Sequence, residues 1–138
     1  MARRVYLLDL PVLAELSRPN GNRRIFTLFA QRQSLCATSA PVAYALLRGV
    51  ESLHEGARRT QLNALVGELL RGGPPILPFD RDAAIWLARE SARRARMPRP
   101  WTALEGQQAA IAVVQELILV TPAIGQYAGL RTEDWFRP

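Results

Sequence analysis

The chain has 138 residues, 49% hydrophobic and 22% charged, which suits one domain (residues 1–138) able to bury its own core. Its apolar runs, such as Leu117–Val120, are far too short to span a bilayer, and a lone cysteine, Cys36, rules out an internal disulfide. The net charge is +6 and every basic residue is Arg, so phosphate or carboxylate groups on a partner would meet planar, bidentate donors.

In chain order, Arg3-Arg4 leads into a short apolar run with no small-residue cleavage site after it, so no signal peptide is expected. Val5–Leu8 reads as a strand buried on both faces, ending on the carboxylate of Asp9. Pro11 then suits the first turn of a helix from about Val12 to Ser17. Arg18-Pro19-Asn20-Gly21 is a turn, and Asn22 can cap a helix through Gln31. Leu35–Ala37 reads as a second strand, with Cys36 a small buried hydrophobe. Ser39 and Pro41 open a helix to about Leu53, Gly56 breaks it, and a further helix covers Arg58–Leu70.

Gly72-Gly73-Pro74-Pro75 stops that helix, Ile76–Phe79 forms a third strand, and Asp80 caps a helix to about Arg96. After a loop at Met97–Pro100, a helix from about Thr102 to Glu116 leads into a strand at Leu117–Thr121. The tail beyond Pro122 adds one short edge strand. Alternating strands and helices imply an α/β architecture in three layers, a mainly parallel sheet of about four or five strands flanked by helices. In such sheets, ligands gather at the carboxyl ends of the strands, where Asp9 lies.

The order and spacing of these pieces resemble a PIN domain, specifically the VapC- and FitB-like toxins of type II toxin–antitoxin operons. The stretch from Val5 through Asp9 to Leu16 is similar to the opening "LLDTNVLSEL" pattern, and Ile76–Asp80 reads "ILPFD" as the family does. Thr38-Ser39-Ala40 with Arg48-Gly49-Val50-Glu51 is similar to the segment after strand two. Leu104-Glu105-Gly106, Ala109–Ala112 and Leu119-Val120-Thr121 are similar to the last helix and strand. The resemblance covers nearly the whole chain.

What it implies is a cytoplasmic endoribonuclease that holds Mg2+ or Mn2+ on a cluster of carboxylates, forms a homodimer, and is bound by a cognate antitoxin, with RNA as its further ligand. Hard divalent ions prefer carboxylate oxygens, and bound ions can activate water and stabilise phosphoryl charge. Transferred residue by residue, the first acid is Asp9 and the third falls at Glu105. The second falls at Ala45, the fourth at Ala123, and a nearby secondary acid at Gln126. The Thr and Asn that follow the first acid in the family are Leu10 and Pro11, while Thr121 is kept.

Asp9 and Glu105 are therefore the candidate catalytic and metal-binding residues, with Thr121 and Ser39 as candidates to support them. Weak or absent metal binding is expected from so reduced a donor set. Asp9 has an alternative role in closing its strand, and Glu105 in completing a helix's first turn. Two functions stay open: a toxin of endoribonuclease lineage weakened or inactive in catalysis, or a pseudo-nuclease that binds RNA or protein without cutting.

Arg89, Arg93 and Arg96, with Arg94 and Arg99 nearby, are candidate contacts to RNA or a partner, or else a solvated helix face. Arg58-Arg59 opens a helix against its dipole, which hints at an external partner. Trp86, Trp101 and Trp135 are too far apart in sequence to predict a stacking platform, and His54 stands alone at a helix end. No Gly-rich phosphate loop, zinc spacing or nucleophile elbow is present.

Overall fold

A computed structural model describes residues 3–138. Among these residues five strands form one all-parallel sheet: β1 (Tyr6–Leu8), β2 (Cys36–Ser39), β3 (Ile76–Leu77), β4 (Ile118–Val120) and β5 (Thr132–Glu133). Their spatial order is β3-β2-β1-β4-β5, with Leu7 opposite both Ala37 and Leu119, and Leu8 opposite Val120. The order reverses at β1, so its carboxyl end, where Asp9 follows, is the topological switch point of the sheet.

Among the described residues six α-helices cover the faces: α1 (Leu10–Leu16), α2 (Arg23–Arg32), α3 (Ala40–Glu51), α4 (Ala57–Gly72), α5 (Arg81–Arg94) and α6 (Ala103–Val114). The sheet divides the core in two. On one side Leu8, Val12, Leu13, Ile25, Val42 and Trp135 pack together. On the other, Leu7, Ala83, Leu119 and the small residues Ala109–Ala112 of α6 lie against the sheet. Central strands buried on both faces account for the continuous apolar runs at β1 and β4. The result is the three-layer α/β fold that the order of elements predicts.

Local chemistry explains most helix starts. The Asn22 side chain accepts from Ile25 N at 3.1 Å, Ser39 Oγ from Val42 N at 3.3 Å, and Asp80 from Ala83 N at 3.0 Å. Each satisfies a helix donor that otherwise has no partner. Thr102 and Glu105 form a reciprocal capping box at the start of α6. Gly106 then allows α6 to approach α5 closely, since a Cβ there would lie 2.9 Å from Leu87 Cδ1.

Several ends differ from expectation. α6 stops at Val114 because Glu116 takes φ 57°, a left-handed conformation usually given to Gly. Its N–H bonds Val113 O at 3.1 Å and the next N–H, of Leu117, bonds Ala112 O at 2.8 Å, closing a Schellman motif. β2 runs on to Ser39, and Leu35 belongs to a 3-10 turn instead of the strand. β3 is only Ile76–Leu77, and α5 ends at Arg94. Arg59 has an internal partner: it bonds Glu51 at 2.7 Å, tying α4 back to α3, so its position at a helix start needs no external one.

Candidate functional site

Asp9 follows β1 and occupies the N-cap position of α1, with extended backbone. Its N–H bonds Val120 O at 3.1 Å, which continues the β1–β4 ladder by one residue. The side chain does not cap the helix and the residue is buried. Burial pushes its carboxyl above the usual aspartate range, and the charge of Glu105 pushes the same way. The Leu10 N–H and the Thr121 side chain oppose that shift without cancelling it.

Glu105 comes from the first turn of α6. Its Oε1 accepts from Thr102 N at 2.9 Å and from Gln126 Nε2 at 3.0 Å. Tyr127 lies buried beside both acids: burial raises its hydroxyl's pKa, and the charges of Asp9 and Glu105 raise it further. Asp9, Glu105, Gln126 and Tyr127 thus form one neighbourhood at the carboxyl edge of β1 and β4. The two acids carried from the family resemblance share it.

Thr121 is buried, held to β5 by its N–H to Glu133 O at 2.9 Å, and accepts from Ala123 N at 3.2 Å. Ser39 faces a different partner. Its hydroxyl donates to Oε1 of Gln108, a fully buried residue whose Nε2 reaches Leu8 O at 3.3 Å. Thr38 Oγ1 bonds the same carbonyl at 3.1 Å. Gln108 therefore ties α6, β2 and the end of β1 together beneath the site. It was not legible in the sequence, where a Gln in an Ala-rich helix gives no signal of burial.

Ala45 lines a slot of about 570 Å3 against Ala103, Leu104 and Gln107 at the start of α6. Ala123 and Gln126 line a separate open groove of about 1240 Å3 with α5 and the loop after it. Glu15 and Glu51 are held by other partners. Glu15 accepts from Asn22 N and Arg18, and Glu51 pairs with Arg59. Among the described residues no group of three or more His, Cys, Asp or Glu side chains could hold a metal ion.

The donor set therefore does not fit a resident Mg2+ or Mn2+. Such ions need several carboxylate oxygens in an open pocket. Here one acid is buried with its carboxyl pushed above the usual aspartate range, and one oxygen of the other already accepts two N–H bonds. No buried side-chain polar atom among the described residues is left without a partner that an ion would satisfy.

Of the arginines singled out in sequence, Arg93 lines the groove with Arg94 and Arg99, whereas Arg89 and Arg96 are exposed outside it. Trp86 and Trp101, distant in sequence, stack at 6.0 Å, and Tyr127 extends the cluster at 6.3 Å. Arg94 covers Trp101 at 3.8 Å, and Trp101 Nε1 bonds Gln126 O at 2.8 Å. α5 and the segment before α6 bring this pair together as an internal stack, which Arg94 covers. Trp135 sits on the opposite core, edge-on to Tyr6. His54 is exposed and Cys36 buried, as expected.

The shifted Asp9 carboxyl has a direct consequence. Between the ordinary aspartate value of 3.8 and the raised native value, the folded chain keeps a proton that the unfolded chain has released. Its favourable contribution is fully present below the ordinary value and is lost as pH rises through the native one. Asp9→Asn removes that loss, so its Tm should exceed the wild type's by a few degrees near neutral pH. The gap should close as the pH falls towards 3.8, measured by thermal melts across pH.

No family model and no curated protein sequence matches the chain significantly. Solved structures do. A structure of FitAB bound to an IR36 DNA fragment is similar with a TM-score of 0.83 and 23% identity, covering 97% of both chains. FitAcB from Neisseria gonorrhoeae gives 0.80 and 25%, covering 97% of this chain and 100% of that one. DNA-bound VapBC from Salmonella typhimurium gives 0.82 and 23%, covering 96% and 98%. The likeness bears out the resemblance to VapC- and FitB-like PIN domains at the level of the fold, over nearly the full length. Among the described residues no helix is long and apolar enough to cross a membrane.

Proposed function

We propose that the chain is the toxin-like member of a cytoplasmic toxin–antitoxin pair, of endoribonuclease lineage, which has lost metal-dependent hydrolysis and works by binding a cognate antitoxin or RNA. The observation that carries this reading is the Gln126 amide on the Glu105 carboxylate. A neutral N–H donor there meets the charge that a cation would otherwise meet, and the capping box holds the same oxygen from the other side. With Ala45 and Ala123 offering no oxygen, Mg2+ or Mn2+ binding is weak or absent.

A homodimer fits this reading, because Tyr44 and Leu47 expose apolar surface on α3. The residual-nuclease reading draws on a different observation, the shared neighbourhood of Asp9 and Glu105, and a cleavage assay separates the two. Purified protein is incubated with structured RNA in Mn2+ or Mg2+ beside Asp9→Asn. The expected result is no metal-dependent cleavage by either protein. Cleavage by the wild type that disappears in Asp9→Asn would restore the enzyme reading.

A further inference from the structure

The groove beside the site has a character that the acid pair does not explain. It runs between the C-terminal half of α5, the loop at Met97–Arg99 and the turn after β4. Met97, Val113 and Ile124 all line it, and all three are large apolar side chains left exposed. Trp86 adds a half-buried apolar wall. Of the charged lining residues three are arginines, Arg93, Arg94 and Arg99, and one is an acid, Glu90.

Glu90 is fully engaged, accepting from both Arg93 and Arg94. Arg94 is further fixed by Ala128 O at 3.1 Å and by the Trp101 ring. Arg99 has no hydrogen bond or ion pair among the described residues, and the Arg93 side chain is 65% exposed despite its bond to Glu90. The groove thus presents the unpaired Arg99 guanidinium and the free Nη1 of the exposed, Glu90-bonded Arg93 beside exposed apolar side chains, on a chain of net charge +6. Planar guanidiniums pair best with carboxylates or phosphates. Nucleobases recognised by stacking need open aromatic faces, and Trp101 is covered by Arg94 and Trp86.

We propose that this groove docks an acidic, apolar segment of a protein partner, with its carboxylates on Arg93 and Arg99 and its apolar side chains on Met97, Val113 and Ile124. The apolar contacts supply affinity, and the guanidiniums supply sign selectivity and rate of encounter. The inference rests on the reading that the chain works through a protein partner, and peptide binding with its dependence on Arg99 is read independently of RNA cleavage.

The test uses the full chain and three fluorescein-labelled probes in polarisation assays: a peptide alternating Glu with Leu, its Lys-for-Glu counterpart, and an oligouridine. The Glu–Leu peptide is expected to bind saturably and more weakly as salt rises. Arg99→Glu should weaken it about tenfold and flatten the salt dependence, whereas Ile124→Ser should weaken it with the salt dependence kept. Circular dichroism confirms that both variants fold, their positions being on the surface. Absent or sign-indifferent peptide binding, or affinity untouched by either substitution, would overturn the proposal. So would tighter binding of the oligouridine that Arg99→Glu abolishes, which would make the groove a nucleic-acid surface.

Discussion

A chain carrying Ala45→Glu, Ala123→Asp and Gln126→Asp together is expected to bind Mn2+ about a hundredfold more tightly than the wild type. The three substitutions raise the carboxylates available from two to five, and Gln126→Asp also removes the amide that now occupies Glu105 Oε1. The placement favours this outcome. Gln126 already touches Glu105, Ala123 lines the same groove as Gln126, and Ala45 faces the start of α6. Clustered carboxylates repel one another when empty, so the variant should melt below the wild type in EDTA and recover with Mn2+. Calorimetric titration and thermal melts check both effects. A variant that gains no affinity would mean that the neighbourhood is not built to gather around an ion.

The second large effect is expected from Trp135→Ala. Trp135 is 2% exposed, packs edge-on to Tyr6 at 5.3 Å, and lies under Arg32 at 5.3 Å. Its Nε1 donates to Glu133 Oε1 at 3.1 Å. Removing a buried Trp typically costs about 3–5 kcal/mol, a large part of the total stability of a domain this size. The consequence reaches the site. Glu133 in β5 accepts the Thr121 N–H through its backbone, so loosening the tail loosens the residue beside Asp9. Urea unfolding measures the loss, and a change below about 1 kcal/mol would show that the C-terminal tail is not part of the core.

The β/α alternation was legible because the punctuation is strong: Asn22, Ser39, Asp80 and Thr102 each cap a helix through a local hydrogen bond. Local chemistry of this kind needs no knowledge of the rest of the chain. The end of α6 was not legible, because Glu116 takes a backbone conformation that its own side chain disfavours and that the Schellman closure imposes.

The site was half legible. Asp9 and Glu105 could be aligned with a known pattern, and the fold brings them into one neighbourhood. What occupies that neighbourhood could not be aligned. The Gln126 amide, the buried Tyr127 and the Ser39–Gln108–Leu8 linkage all depend on contacts between residues far apart in sequence. The Trp86–Trp101 stack was missed for the same reason, since only the packing of α5 against α6 creates it. Absence of carboxylates was readable from the sequence, whereas the groups that satisfy the remaining ones were not.

With Asp9 buried and Glu105 Oε1 held by Thr102 and Gln126, the acid pair is not a site that waits for a cation. Thermal melting of the wild-type chain, in EDTA and across a millimolar series of MnCl2, tests it most directly, because any ligand of the native state must raise Tm by mass action. Melting curves that do not move with Mn2+ concentration are expected for both the wild type and Asp9→Asn, separated only by the constant offset due to Asp9. A saturable rise in the wild type that vanishes in Asp9→Asn would contradict it.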